Sequence, residues 1–152
     1  MIQFPDLFDT DSDPIPSGIF FESLVLNFNL PNADAVATWL TQCVATEGYI
    51  LKYIQYIFCD DAYLLQINQA YLQHNTLTDI ITFPYNEDPI ESDIYISLQR
   101  VEYNAQHFAV TFEQELLRVI VHGALHLCGY TDKTPTQKKK MQEREDHYLK
   151  LF

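Results

Sequence analysis

The sequence has few of the residues that mark disulfide-rich, membrane and phosphate-loop proteins. Among its 152 residues are three cysteines, which form no Cys-x-x-Cys pair, so neither a disulfide framework nor a cysteine zinc knuckle is predicted. Its four glycines build no glycine-rich phosphate loop. No apolar stretch approaches the length of a membrane span, and the N-terminus carries acidic residues and prolines where a signal peptide needs a basic end. We therefore expect a cytoplasmic protein with no membrane partner.

Basic residues are almost absent from the first two thirds of the chain. Residues 1–99 contain 14 acidic side chains and one basic side chain, Lys52, whereas residues 100–152 contain 7 acidic and 8 basic ones. A polyanion is therefore repelled by the first part and approaches, if anywhere, near the C-terminal part. This counts against indiscriminate nucleic-acid binding, which needs a broad basic face. A specific RNA site assisted by protein partners is still compatible with the charge distribution.

Composition and apolar patterning predict one folded domain that spans residues 1–152. With 47% hydrophobic and 14% aromatic residues, the chain can bury a single sizeable core. The patterning predicts an irregular arm to about residue 17, strands near 19–21, 24–29, 49–59 and 90–98, and helices near 32–46, 60–73 and 99–108. Capping boxes at Thr111 with Gln114 and at Thr134 with Gln137 each begin a further helix. The predicted fold class is α+β, a mixed sheet of about four strands packed by helices, with 49–59 near the middle of the sheet.

Two histidines near the C-terminal end have the spacing of metal ligands. His122 and His126 lie four residues apart, so on a helix both imidazoles project from one face. Gly129 is placed to end that helix and reverse the chain, and Asp132 is the first strong ligand after the turn. Three protein ligands leave one position of a Zn²⁺ site open for water, and other divalent metals are also compatible. On its own, such a histidine pair also occurs as packing or surface residues.

The spacing of this segment resembles two known patterns. Metzincin peptidases read His-Glu-x-x-His-x-x-Gly-x-x-His, and Gly123 stands here in place of the glutamate that takes a proton from the zinc-bound water. The segment also resembles the signature His-Gly-x-Leu-His-Leu-x-Gly-Tyr-Asp-His of the YbeY family, bacterial ribosomal RNA maturation factors described as metal-dependent endoribonucleases. The matching positions are His122, Gly123, Leu125, His126, Leu127, Gly129 and Tyr130. The third histidine ligand of that family falls on Asp132, so the resemblance implies a metzincin-like helix with a carboxylate as third ligand.

A second segment resembles the same family. The family pattern Asn-x-x-Tyr-Arg-x-Lys-Asp-x-Pro-Thr-Asp-Val-Leu-Ser-Phe-Pro is kept at Asn68, Tyr71, Thr78, Asp79, Phe83 and Pro84. Leu72 stands where the pattern has the arginine that is the family's candidate for holding phosphate, and His74 stands where it has lysine. An isobutyl group cannot replace a guanidinium fork. Thr78 and Asp79 either cap a loop ahead of a strand or line the substrate groove.

The resemblance implies a single-strand-specific, metal-dependent endoribonuclease that matures ribosomal RNA at the 3′ end of the small-subunit 16S RNA and acts on the assembling small subunit. The expected mechanism is attack of a metal-bound water on a phosphodiester, with His122, His126 and Asp132 as ligands and no side chain assigned as general base. Lys138 and Lys139, beside the metal segment, form either a solvated surface or contacts to RNA phosphates. Two alternatives stay open, namely a non-catalytic, metal-stabilised ribosome assembly factor and a metallopeptidase.

Three further residues carry predictions about the surroundings of this segment. Glu115 falls two helical turns before the first histidine, where it either orients a metal ligand or pairs locally with Arg118. Cys128 lies on a different helical face from the histidines, so we expect a buried thiol and not a ligand. His147 is expected on the surface.

Overall fold

A computed structural model describes residues 17–73 and 77–152 of the chain. These residues form the strands β1 (Gly18–Ser23), β2 (Leu51–Cys59), β3 (Ile80–Asn86) and β4 (Ile90–Ser97) and the helices α1 (Ala33–Thr46), α2 (Asp61–Tyr71), α3 (Leu98–His107), α4 (Phe112–Leu127) and α5 (Pro135–Leu149). The predicted N-terminal arm, up to residue 16, and His74 lie outside the described residues. Within the described ranges no helix is long and apolar enough to cross a membrane.

The four strands form one mixed sheet in the order β1-β2-β4-β3. The pairs β1–β2 and β2–β4 are parallel, whereas β3 pairs antiparallel with β4. Because β2 lies inside the sheet, residues 53–59 are all buried, and a strand covered on both faces appears in the sequence as a continuous apolar run. The α+β class, the mixed sheet of four strands and the interior position of this strand are confirmed.

One predicted strand is wrong, because residues 24–29 form a turn and an irregular segment. Asn27 has a φ of 64°, a left-handed conformation that interrupts an extended chain. The ring of Phe28 packs edge-on against Phe58, with 5.4 Å between the ring centroids, and edge-on against Phe112. The apolar residues of this segment therefore cover part of the core instead of pairing with a neighbouring strand.

Helix α1 packs against β1 and α4. Its buried residues include Val36, Trp39, Leu40 and Cys43, which recur on one helical face. The N-cap residue Asn32 has a left-handed φ of 55° and makes no side-chain capping bond. The Nε1 of Trp39 donates to the carbonyl oxygen of Tyr148 at 2.9 Å. This buried bond attaches α5 to α1, at a distance of 109 residues along the chain.

Helix α4, which carries the two histidines of the metal segment, is held close to the sheet. The hydroxyl of Tyr56 on β2 donates to the carbonyl oxygen of Ile120 at 2.8 Å. Gly123 faces the sheet so closely that a Cβ atom there would lie 2.9 Å from the Cδ1 of Ile80. The predicted capping boxes at the starts of α4 and α5 are both formed. The sheet and the caps together fix the direction in which α4 presents its histidines.

Candidate metal centre

The two histidines of α4 and Asp132 face one another. The rings of His122 and His126 lie one helical turn apart, with 4.5 Å between their centroids and an angle of 87° between their planes. The Oδ2 of Asp132 lies 3.4 Å from the Nε2 of each ring. One ligand atom from each residue lies within 4.8 Å of the other two. Ligands that surround one tetrahedral ion at about 2.0–2.2 Å are about 3.3–3.6 Å apart, which matches the 3.4 Å separations of the Asp132 oxygen. The structure therefore brings together the three residues predicted as ligands.

The turn after α4 returns the chain to the histidines. Gly129 has a φ of 94°, which favours glycine because it has no Cβ. Its N–H donates to the carbonyl oxygen of His126 at 3.1 Å, and the N–H of Tyr130 donates to that of Leu125 at 3.1 Å. This pair of bonds is the Schellman motif, which satisfies the last carbonyl groups of a helix while it reverses the chain. The predicted role of Gly129 is confirmed, and the reversal carries Asp132 back over the exposed face of α4.

Hydrogen bonds to the other ring nitrogen orient both imidazoles. The Nδ1 of His126 lies 2.8 Å from the carbonyl oxygen of Tyr130. Because that oxygen can only accept, Nδ1 carries the proton and Nε2 is left with a lone pair. The Nδ1 of His122 lies 2.6 Å from the Oε2 of Glu145, which orients this ring in the same way. Two Nε2 lone pairs and one carboxylate oxygen make a donor set that fits Zn²⁺ with one open position.

Glu145 on α5 is the functional residue that the sequence does not reveal. Its side chain is 8% exposed and accepts from His122 through Oε2 and from the Nη1 of Arg118 through Oε1, at 2.8 Å. The Nη2 of Arg118 donates to Asp146 at 2.6 Å. Metal-binding histidines commonly donate their second N–H to a carboxylate in this way. Arg118 is therefore paired with α5, not with Glu115 as the local alternative had it.

The charges around His122 favour its protonated form when no metal is bound. Burial lowers the pKa of His122, but the hydrogen bond and charge of Glu145, together with the charges of Asp132 and Asp79, outweigh burial and raise it. Glu115 is also buried, and burial together with the charge of Asp79 raises the pKa of its carboxyl above the ordinary value. Four carboxyl groups thus surround one imidazole. A divalent cation offsets their mutual repulsion, which adds an electrostatic argument to the geometric one.

Thr78 and Asp79 make bonds that close the loop before β3. The hydroxyl of Thr78 donates to the carbonyl oxygen of Ile80 at 3.4 Å, and the carbonyl oxygen of Asp79 accepts from the N–H of Ser97 at 2.9 Å. The carboxylate of Asp79 accepts from the side chain of Asn104 at 3.3 Å. Burial raises the pKa of Asp79, and the nearby His122 partly offsets that shift. These bonds favour the loop-capping alternative for Thr78, whereas Asp79 also belongs to the surroundings of the metal centre.

A groove of about 710 Å³ runs beside the centre between α4, α5 and the connection from α3. Its lining includes His122, Asp132 and Lys138, so this lysine shares a cavity with two of the candidate ligands. Lys139 is exposed on the surface of α5. Leu72, where the family pattern has arginine, ends α2 with its side chain 42% exposed. A cation in the groove beside the ligands, Lys138, is thus supplied from α5, and position 72 supplies none.

Two remaining predictions about individual residues are confirmed. Cys128 is 8% exposed, and burial raises the pKa of its thiol to about 12, so it is a protonated, buried group at neutral pH. His147 is exposed on α5, with its ring against that of Tyr148.

Sequence comparison places the motifs and the centre in a family. The sequence model described as Endoribonuclease YbeY matches residues 27–152. The chain belongs to the YbeY family of endoribonucleases. Its relatives include a protein named Endoribonuclease YbeY from Flavobacterium psychrophilum, which is 48% identical over 84% of this chain and 91% of its own length. A protein of the same name from Bacteroides thetaiotaomicron is 44% identical over 74% of this chain and 83% of its own.

A solved structure shares the fold of this chain. The solution structure of TM1509 from Thermotoga maritima is similar with a TM-score of 0.61 and 29% sequence identity, and the match covers 86% of each chain. The resemblance inferred from the two sequence segments is therefore confirmed. As a YbeY protein, the chain belongs to a class of metal-dependent enzymes named for cutting RNA, and the spacing of its histidine and aspartate cluster is compatible with a bound metal ion.

Proposed function

We propose that the protein is a zinc-dependent, single-strand-specific endoribonuclease that matures ribosomal RNA in the cytoplasm. Its substrate is the precursor of the small-subunit 16S RNA, cut near the 3′ end on the assembling small ribosomal subunit. The observation that carries the proposal is the convergence of His122, His126 and Asp132 within 4.8 Å. Membership of the YbeY family supports RNA as the substrate class. Zinc is the metal we favour, because two imidazoles, one carboxylate and an open position are a common catalytic zinc arrangement.

Each part of the centre has a defined task in this proposal. A bound Zn²⁺ would supply an activated water for attack on the phosphodiester and would offset charge on the phosphoryl oxygens. His122, His126 and Asp132 would hold the ion, and the bonds of Glu145 and the Tyr130 carbonyl oxygen to Nδ1 leave each Nε2 available as a ligand. No side chain is assigned as general base.

The contacts to RNA are proposed to come from two sides of the centre. Lys138 lines the groove beside the ligands and Lys139 follows it on the exposed surface of α5, so both can meet phosphates that approach this end of the molecule. Thr78 and Asp79 form the loop on the other side, close enough for the charge of Asp79 to act on His122.

The test is cleavage of precursor RNA within small-subunit particles. Wild-type protein should cut near the 3′ end of the small-subunit RNA, His122→Ala should lose cleavage, and His147→Ala, which removes an exposed histidine of α5, should retain it. Elemental analysis of the purified proteins should find zinc in the wild type and in His147→Ala but not in His122→Ala. If metal-free protein cuts as well as metal-loaded protein, a contaminating nuclease is responsible and the proposal is wrong.

A non-catalytic assembly factor is the second candidate function. Leu72 favours it, because no guanidinium is available at the position of the arginine that is the family's candidate for holding phosphate. In that case the metal only stabilises the fold. His122→Ala would then lower the thermal stability and leave RNA processing in the particles unchanged.

A metallopeptidase is disfavoured by the packing of Gly123. The peptidase base would have to stand at this position, yet a Cβ there would lie 2.9 Å from Ile80 Cδ1 and 3.1 Å from Ile94 Cδ1. A glutamate side chain would point into the sheet and away from the centre, so Gly123→Glu would not restore a peptidase site. The absence of peptide cleavage in a screen of mixed peptides is the expected result.

A further inference from the structure

The groove beside the metal centre changes in character along its length. At one end it is lined by His122 and Asp132, and at the other by the apolar side chains of Phe108, Val110 and Leu149. Its volume of about 710 Å³ lies within the range of small-molecule sites, which is roughly 300–1,000 Å³. A molecule that fills this groove would place its reacting group at the candidate metal ligands. An apolar part of the same molecule would contact the apolar end.

The apolar end is unusually exposed for residues of its type. Phe108 is 60% exposed and Val110 is 40% exposed. The ring of Phe108 packs edge-on against His107, with 5.3 Å between centroids, and the His107 ring lies parallel to that of Tyr103 at 6.4 Å. Tyr103 is 58% exposed as well. The C-terminal half of α3 thus presents an exposed aromatic row that ends at the mouth of the groove.

Among the described residues, the groove has one exposed cation in its lining beside the metal ligands. Its carboxylates are Glu115 and Glu145, which are buried, and Asp132 of the metal centre. Arg118 is half-buried and bound to two carboxylates of α5, whereas Lys138 is exposed. A phosphate at the metal centre can therefore meet Lys138, and a base further along the strand meets the apolar end. Aromatic side chains stack on unpaired bases with little regard to sequence, which makes such a row a platform for single-stranded RNA.

The geometry points to a base-binding subsite in this groove, in which Phe108 stacks on an unpaired base of single-stranded RNA near the phosphate held at the metal centre. The inference rests on the proposed function and adds to it the residue, Phe108, that distinguishes single-stranded from double-stranded RNA. Base pairing hides the face on which Phe108 acts, so a duplex is excluded from the subsite.

The experiment uses zinc-loaded protein and short single-stranded RNA that carries 2-aminopurine at one position at a time. Stacking on an aromatic ring quenches the fluorescence of this base, so the fluorescence change after rapid mixing measures binding. Gel analysis of the same samples measures cleavage. Phe108→Leu removes the ring and keeps apolar bulk, and Phe108→Trp keeps a ring. Tyr85→Leu is the matched control, because Tyr85 is also 60% exposed and lies on β3, outside the lining of the groove.

Wild-type protein should quench the fluorescence of 2-aminopurine at one RNA position near the cut. At the other positions the fluorescence should stay unchanged. Phe108→Leu should lose that quenching and bind RNA on the order of tenfold more weakly, while Phe108→Trp and Tyr85→Leu should behave as wild type. Annealing a complementary strand should abolish the signal. If wild type cuts RNA but quenches no position, or if Phe108→Leu binds and quenches as wild type does, the subsite is refuted and the proposed function stands. If wild type neither binds nor cuts RNA, both fail.

Discussion

Replacing Glu145 by glutamine should weaken metal binding by about 10- to 100-fold, the usual effect of removing a carboxylate behind a metal-binding histidine. The structure supports a value within this range. The Oε2 of Glu145 lies 2.6 Å from the Nδ1 of His122, and its side chain is 8% exposed, so water cannot take over the bond. A hydrogen bond to a charged group contributes about 1.5–3 kcal/mol, and every 1.4 kcal/mol corresponds to a factor of ten.

The assay is competition between the protein and a chromophoric chelator for Zn²⁺ at fixed pH. Asp146→Asn is the matched control, because it removes the other carboxylate partner of Arg118 and leaves the bond between Glu145 and His122 in place. A thermal readout follows from mass action. At a metal concentration 100 times the wild-type Kd, binding stabilises the wild type by about 2.7 kcal/mol, and a tenfold weaker variant by about 1.4 kcal/mol.

Two results would refute this reasoning. Equal zinc affinity of wild type and Glu145→Gln would mean that the carboxylate does not orient His122. An equal loss in Asp146→Asn and Glu145→Gln would mean that the position of α5 matters and the hydrogen bond does not.

Three further substitutions test the packing, the charges and the ligand set. Gly123→Ala should destabilise the protein by about 1–3 kcal/mol in urea unfolding, because its Cβ meets Ile80 Cδ1 at 2.9 Å, and adding Ile80→Val should recover most of the loss. Glu115→Gln should stabilise the metal-free protein at neutral pH, with a gain that shrinks as the pH falls towards the ordinary pKa of glutamate, because burial raises the pKa of Glu115 in the folded state and makes its ionised form costly. Asp132→Ala should lose bound metal in elemental analysis, whereas Asp132→His should keep it.

Each of these predictions has an outcome that contradicts it. A Gly123→Ala protein as stable as wild type would show that α4 can move away from the sheet. A stability gain for Glu115→Gln that is independent of pH would assign the effect to packing. Retention of zinc by Asp132→Ala would mean that the two imidazoles hold the ion without the carboxylate.

The clustering of the three candidate metal ligands was predictable because their geometry is local. His122 and His126 are related by one helical turn, and Asp132 follows through a turn that Gly129 determines, so sequence spacing alone carries the arrangement. Glu145 was not predictable, because it reaches His122 across 23 residues from another helix. Helix α5 also carries other carboxylates, and which of them faces α4 depends on how the helix docks, through contacts such as the Trp39 bond to the Tyr148 carbonyl oxygen.

The same distinction between local and distant causes explains the fold. Strand β2 was predictable because a long run of apolar and β-branched residues in a small domain typically forms a strand inside the sheet. The segment 24–29 has a similar pattern, but its apolar residues serve a different purpose. Phe28 packs edge-on against Phe58 and Phe112, and these partners lie far along the chain, so alternation alone could not separate a strand from a loop that covers the core.

Two positions that depart from the family pattern change the charge of the centre in the same direction. Asp132 adds a negative charge where the pattern has histidine, and Leu72 removes a positive charge where it has arginine. Both changes weaken the electrostatic attraction of the centre for a phosphodiester. The cations of the groove must therefore provide a larger share of that attraction. Of these, Arg118 is already bound to Glu145, which orients His122. The groove that we propose for RNA and the proposed metal centre are therefore linked through one arginine and carboxylate pair, so we expect a substitution at either residue to act on both.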